Sequence, residues 1–256
     1  MKPAAVLAAC LSLAACASTG APLPAITPEG YLPAGKVASV ADRIASLGVP
    51  VEAADSPVEP GTDRWWLAIA HAELRPPEAA QHFDCALGTR LAARPRPALT
   101  RLMARLLADA NALTREAARR HGPSARPIAR EPGLEPCQRV TPAMRNSPSY
   151  PAAGAVAGTL YGEAFAALAP DRAEQARRIG HQIGVSRMVC RMNSERDVDG
   201  GERGAHEIYP LISASPEFKA DLEAARAEVA AARAERLSNP SCAAERRALG
   251  PMPDAG

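Results

Sequence analysis

The chain has 256 residues, of which 30 are basic and 28 acidic, giving a net charge of +2; 47% are apolar. The near-neutral charge leaves no electrostatic footprint for nucleic acid or an acidic membrane, and the length is enough to bury a sizeable core. Lysine occurs at Lys2, Lys36 and Lys219, so nearly every base is arginine, and arginine abundance alone argues for no anion site.

Lys2 gives a short positive start, Ala4 to Leu13 form an apolar stretch, and small residues follow. About ten apolar residues are half of what a membrane-spanning helix needs, so the segment reads as an export signal. Leu13-Ala14-Ala15-Cys16 resembles the lipobox of bacterial lipoproteins, which implies acylation of Cys16, a membrane anchor through it, and a signal peptide over residues 1–16. Ala17 after that cysteine, rather than an aspartate, resembles outer-membrane sorting within the periplasm. Ordinary cleavage after Ala15 or Ala17, with Cys16 incidental, is the alternative.

Residues 17 to about 36, rich in Pro, Gly, Ala and Thr, read as a tether, and Val51 to Gly61 as a loop; 17–60 is taken as tether and N-terminal region. Thr62 or Asp63 caps a predicted helix through Trp65, Trp66, Ile69 and Leu74, stopped by Pro76-Pro77. Pro77 opens the next, with Gly88 beyond its end. Between Ala98 and Arg120 the residues Leu99, Leu102, Met103, Leu106, Ala110, Leu113 and Ala117 recur at the spacing of one helix face. Residues 127–150 hold five prolines and no periodicity, a long loop of the kind that carries function. Helices follow over Ala152–Leu168, Asp171 to about Met188, near Ser194, and over Glu217–Leu237. No strand alternation or internal repeat is present, so an all-α helical bundle is expected over 61–237, with 238–256 as a tail.

Cys85, Cys137, Cys190 and Cys242 lack CxxC pairing, which argues against a zinc site; in an oxidising compartment they make two disulfides, with three pairings open. Neither a metal nor another cofactor is expected. Glu195-x-Asp197-x-Asp199-Gly200 imitates the start of a calcium loop, but its twelfth position is His206 rather than a bidentate glutamate.

Three segments carry the functional reading: Arg119-x6-Arg126-Pro127, then Ser149-Tyr150-Pro151, then Ser186-Arg187-x5-Asn193-x3-Asp197. Their order and spacing resemble the signature of bacterial class A non-specific acid phosphatases, within the phosphatidic acid phosphatase type 2 and vanadium haloperoxidase group. That signature reads Lys-x6-Arg-Pro, Pro-Ser-Gly-His, Ser-Arg-x5-His-x3-Asp. The resemblance spans roughly residues 60–235 and includes Phe83-Asp84-Cys85-Ala86-Leu87 and Asp197-Val198-Asp199. It implies an all-α fold with the site at one end of the bundle. It also implies phosphate binding by Arg119, Arg126 and Arg187, and an orienting role for Asp197. A pairing of Cys137 with Cys190, and so of Cys85 with Cys242, follows from it as well.

In that family one histidine attacks phosphorus, the aspartate orients it, and a second histidine protonates the leaving alkoxide. This chain has Asn193 at the nucleophile position, and Pro151-Ala152-Ala153-Gly154 puts Gly154 at the general-acid position. Arg191 replaces the family's glycine two residues before the nucleophile, and Arg119 replaces its lysine. His121 is the best substitute among the histidines, ahead of His71, His82, His181 and His206. The expectation is a pseudophosphatase that binds phosphate or a small phosphorylated ligand, against an active phosphatase with a rearranged site or a structural envelope lipoprotein.

Overall fold

The structure, a computed structural model, describes residues 28–46, 58–131 and 133–250. The export segment with Cys16, the tether up to residue 27 and part of the 51–61 loop lie outside the described residues. Within them the fold is all-α, with no strand.

Helix α1 (Ala34–Ala45) buries Val37, Val40, Ala41 and Ile44, spaced three and four residues apart. The helical bundle, expected from residue 61, already includes α1, which packs against α4 and α9. Helix α2 (Asp63–Ala70) starts where Thr62 accepts the Trp65 N–H, and ends earlier than expected. The Glu78–Phe83 segment is a 3-10 turn leading into the short α3 (Asp84–Leu87).

Helix α4 (Pro97–His121) opens with proline at its first position, and Arg119, Arg120 and His121 lie in its last turn, where positive charge complements the helix dipole. Its buried face is the predicted stripe, from Leu99 to Ala117. Each such leucine contributes about 1.5–3 kcal/mol on burial. Gly122, at φ 85°, turns the chain out of the helix in a conformation that favours glycine. The long segment after it carries two short helices, α5 (Pro127–Arg130) and α6 (Pro142–Asn146), each with proline at its start.

Helix α7 (Ala153–Leu168) is buried on nearly every face, because it is the centre of the bundle. It packs on α4 and on the later helices α8 (Ala173–Val189), α9 (Glu195–Ala214) and α10 (Pro216–Ala234). The α7–α8 crossing is held close by glycines: a Cβ on Gly158 would stand 2.5 Å from the Gly180 carbonyl oxygen, and one on Gly180 would stand 2.5 Å from that of Gly158. The region expected as a tail contains α11 (Cys242–Leu249), which packs on α2. Cys85–Cys242 ties α11 to α3, and Cys137–Cys190 ties the long segment to the end of α8, with Cα separations of 5.4 and 4.6 Å.

Candidate functional site

The three signature segments meet at one end of the bundle, where α4 ends, α7 begins and the α8–α9 connection passes. Helix α9 starts with a capping box: Asp197 Oδ2 accepts the Ser194 N–H at 2.8 Å while Ser194 Oγ accepts the Asp197 N–H. The same Asp197 oxygen accepts the Ser149 hydroxyl at 2.6 Å, and the Asp197 carbonyl accepts the Ala152 N–H at 2.8 Å. Asp197 thereby ties the entry of α7 to the start of α9.

Asn193 is buried, and its side-chain amide donates to the Ser149 carbonyl at 2.7 Å and to Ser149 Oγ at 3.3 Å. The position of the family's nucleophile is thus filled by a group bonded inward. Two residues earlier Arg191 has φ 60°, a left-handed conformation suited to the glycine of the family pattern.

Arg126 is mostly engaged within the protein, with one Nη1 N–H left uncommitted. Its guanidinium donates to the carbonyls of Met144, Pro148 and Met192 at 3.1, 3.0 and 2.8 Å, and twice to Ser147 Oγ. Burial holds it below the usual arginine range, against the favourable charge of Asp197. Arg187 donates to Gln138 Oε1 at 3.0 Å, and burial, then the nearby Arg126 charge, bring its pKa to about 10. Gly154 gives Arg187 its space, since a Cβ there would stand 2.6 Å from Arg187 Cδ. Arg119 is exposed and paired with Glu116 on its own helix.

A cavity of about 880 Å³ opens beside these groups. Arg119, Arg126 and Ala153 line it; Arg187, Gly154, Asn193 and Asp197 do not. Arg115 and Arg145, which sequence reasoning did not single out, also line it, and no carboxylate, histidine or cysteine is among the lining residues. Arg115 precedes Arg119 by four residues, so the shared helix face was a signal available in the sequence. Gln138 and Ser147 had no such signal.

The histidines lie elsewhere. His121 Nε2 faces the Arg196 guanidinium, and its ring packs 4.5 Å from that of Tyr150. His71 Nδ1 meets Ser186 Oγ at 2.8 Å in the interior, where burial, then the charges of His82 and Arg64, hold its pKa well below the usual value. His82 bonds the Glu73 carbonyl, His181 pairs with Glu202, and His206 is exposed. Among the described residues no cluster of three or more His, Cys, Asp or Glu is placed to hold a metal. The calcium-like segment starting at Glu195 is helical.

No family model matches the chain. Curated relatives do. The non-specific acid phosphatase of Salmonella typhimurium is 24% identical over 171 residues, 66% of this chain and 68% of the relative. That of Providencia stuartii is 24% identical over 170 residues, with the same shares. An acid phosphatase of Zymomonas mobilis is 27% identical over 174 residues, 68% of this chain and 65% of the relative. Across about two thirds of its length, and with an all-α fold in keeping with theirs, the chain is similar to bacterial non-specific acid phosphatases.

Proposed function

We propose that the chain is an exported relative of acid phosphatases that holds a phosphorylated ligand without hydrolysing it. One observation carries this reading: the cavity lined by Arg119 and Arg126 has no histidine, cysteine or carboxylate on its walls. Guanidinium groups supply the charge that phosphate needs, but phosphoryl transfer also needs an attacking group and a proton donor. Asn193 is a poor nucleophile already bonded to Ser149, and Gly154 offers no proton. Loss of general acid catalysis alone costs about 10²–10⁴ in rate, or ~3–5 kcal/mol. Loss of the nucleophile is at least as severe, though the two need not add. The two disulfides support an oxidising compartment, in keeping with export and the lipobox-like Cys16.

One observation favours a purely structural role instead: Arg126 is mostly engaged by protein acceptors. Calorimetry with inorganic phosphate separates the two readings. Binding in the micromolar to millimolar range, about 4–8 kcal/mol, weakened by Arg119→Gln, supports ligand binding; no heat at millimolar phosphate supports the structural role. The hydrolytic alternative is tested with p-nitrophenyl phosphate between pH 5 and 7, where purified protein is expected to match a mock preparation. Robust turnover abolished by His121→Ala would overturn the proposal.

A further inference from the structure

We infer that the cavity takes an organic ligand with two anionic groups on a short carbon scaffold, rather than a simple phosphate monoester. The inference rests on the ligand-binding half of the proposed function and names the ligand class of that site.

The first ground is size. At about 880 Å³ the cavity lies toward the upper end of the range for small-molecule sites and far exceeds one phosphate group. The second is charge. Arg119 and Arg126 match the phosphatase pattern, but Arg115 and Arg145 have no counterpart in it, and all four line the cavity. Four guanidiniums line the concave space, and only Glu116, paired with Arg119, offsets them at hydrogen-bond distance, so a net positive potential remains.

The third ground is what those cations do at present. Arg126 is engaged by carbonyls, and Arg145 gives one N–H to the Ile128 carbonyl. Arg119 faces Glu116 at the surface, a pairing of little worth that an anion can displace. Arg115 is exposed and makes no hydrogen bond or ion pair with any described residue. The least committed cation on the wall is therefore one that monoester chemistry does not require.

Geometry sets the spacing. Arg115 and Arg119 lie one turn apart on α4, so their Cα atoms differ by about 6 Å along the helix axis. One phosphate at Arg119 leaves a second anion at Arg115, one turn away on the same wall. Ala118, Pro123 and Pro148 add apolar surface to the same cavity for a carbon scaffold. A scaffold of three or four carbons spans that distance.

The test compares 1,3-propanediol bisphosphate with propyl phosphate and inorganic phosphate by calorimetry on the full chain. The bisphosphate should bind at least about 10-fold more tightly than propyl phosphate, in line with added charge-assisted hydrogen bonds. Arg115→Gln should remove most of that advantage while changing propyl phosphate affinity less than about 2-fold. Arg226→Gln, which removes one surface charge on α10, should leave both affinities unchanged. Equal affinity for bisphosphate and monoester, or a bisphosphate advantage that survives Arg115→Gln, overturns the inference while phosphate binding stands. Equal losses from Arg115→Gln and Arg226→Gln overturn it as a net-charge effect. If no phosphate compound binds, the ligand-binding reading and this inference both fall. If the bisphosphate is bound selectively and hydrolysed, the ligand class stands and the non-hydrolytic reading falls.

Discussion

Arg187 occupies the space that a side chain at Gly154 would enter: a Cβ on Gly154 would lie 2.6 Å from Arg187 Cδ and 2.8 Å from its Cγ. The two positions are coupled, and histidine cannot return to one without a shift in the other. Gly154→His is expected to destabilise the protein by about 1–3 kcal/mol, the usual cost of overpacking, as read from urea unfolding midpoints. Neither it nor Asn193→His alone should yield measurable p-nitrophenyl phosphate turnover, because each leaves the other histidine missing. Turnover by Asn193→His alone would mean that another proton donor serves. Restoring both histidines together with Ala152→Ser and Ala153→Gly is the variant in which hydrolysis is tested fairly.

The two signature arginines on the cavity wall should separate in a stability assay. Arg126→Ala removes bonds to three carbonyls and to Ser147 Oγ; Met144 O keeps the Ser147 hydroxyl and N–H, whereas the Pro148 and Met192 carbonyls lose the Arg126 donor. A loss of about 2–4 kcal/mol is expected, with Arg126→Lys recovering part of it. Arg119→Gln breaks only a surface pair with Glu116 and should leave the unfolding midpoint unchanged. Equal midpoints for the two variants would show that Arg126 is not a structural tie.

Stability should fall with rising pH at the α11 contact. Glu245 is buried with one unpartnered carboxylate oxygen, and burial, then the charge of Asp84, raise its pKa to about 7, against Arg246 and Arg178. Its folded pKa exceeds the unfolded value, so the native state holds the proton longer. The associated stability is full below about pH 4.5 and is lost as pH rises through about 7. Glu245→Gln should therefore gain over the parent as pH goes from 5 to 8, by ~2–3 kcal/mol at most. His71 works in the other direction: its folded pKa is depressed, so its contribution is present above about 6.5 and is lost as pH falls. A parent-minus-variant difference that does not change with pH would exclude the Glu245 account.

The lipid anchor is tested by fractionation. Cys16→Ser should move the protein from the membrane to the soluble fraction and remove a diacylglyceryl mass from its N-terminus. A parent N-terminus that begins at Ala17 or later and carries no lipid would rule the anchor out.

Helix α4 was legible because its apolar residues form a single stripe between polar faces, and that stripe is what is buried. Helix α7 was legible only as an apolar run, since a helix enclosed by four others has no polar face to mark its period. Helix α1 carries the right spacing in Val37, Val40, Ala41 and Ile44, but its stripe is short and follows a Pro- and Gly-rich stretch, so no helix is expected there. At the site, residue identities show which chemical groups are present and which are missing. They do not show that Arg126 faces carbonyls, because backbone acceptors have no signature in side-chain identity. The two additional arginines were visible as residues, but nothing in their spacing set Arg145 beside Arg115.

The inward bonding of Arg126 has a kinetic consequence. An anion that recruits more than one N–H of this guanidinium competes with the carbonyls of Met144, Pro148 and Met192 that it already serves. For such an anion, apparent affinity is the intrinsic affinity scaled by the fraction of molecules with those bonds released. A variant that frees the arginine without unfolding the loop would bind anions faster and more tightly, having removed an internal competitor rather than added a contact.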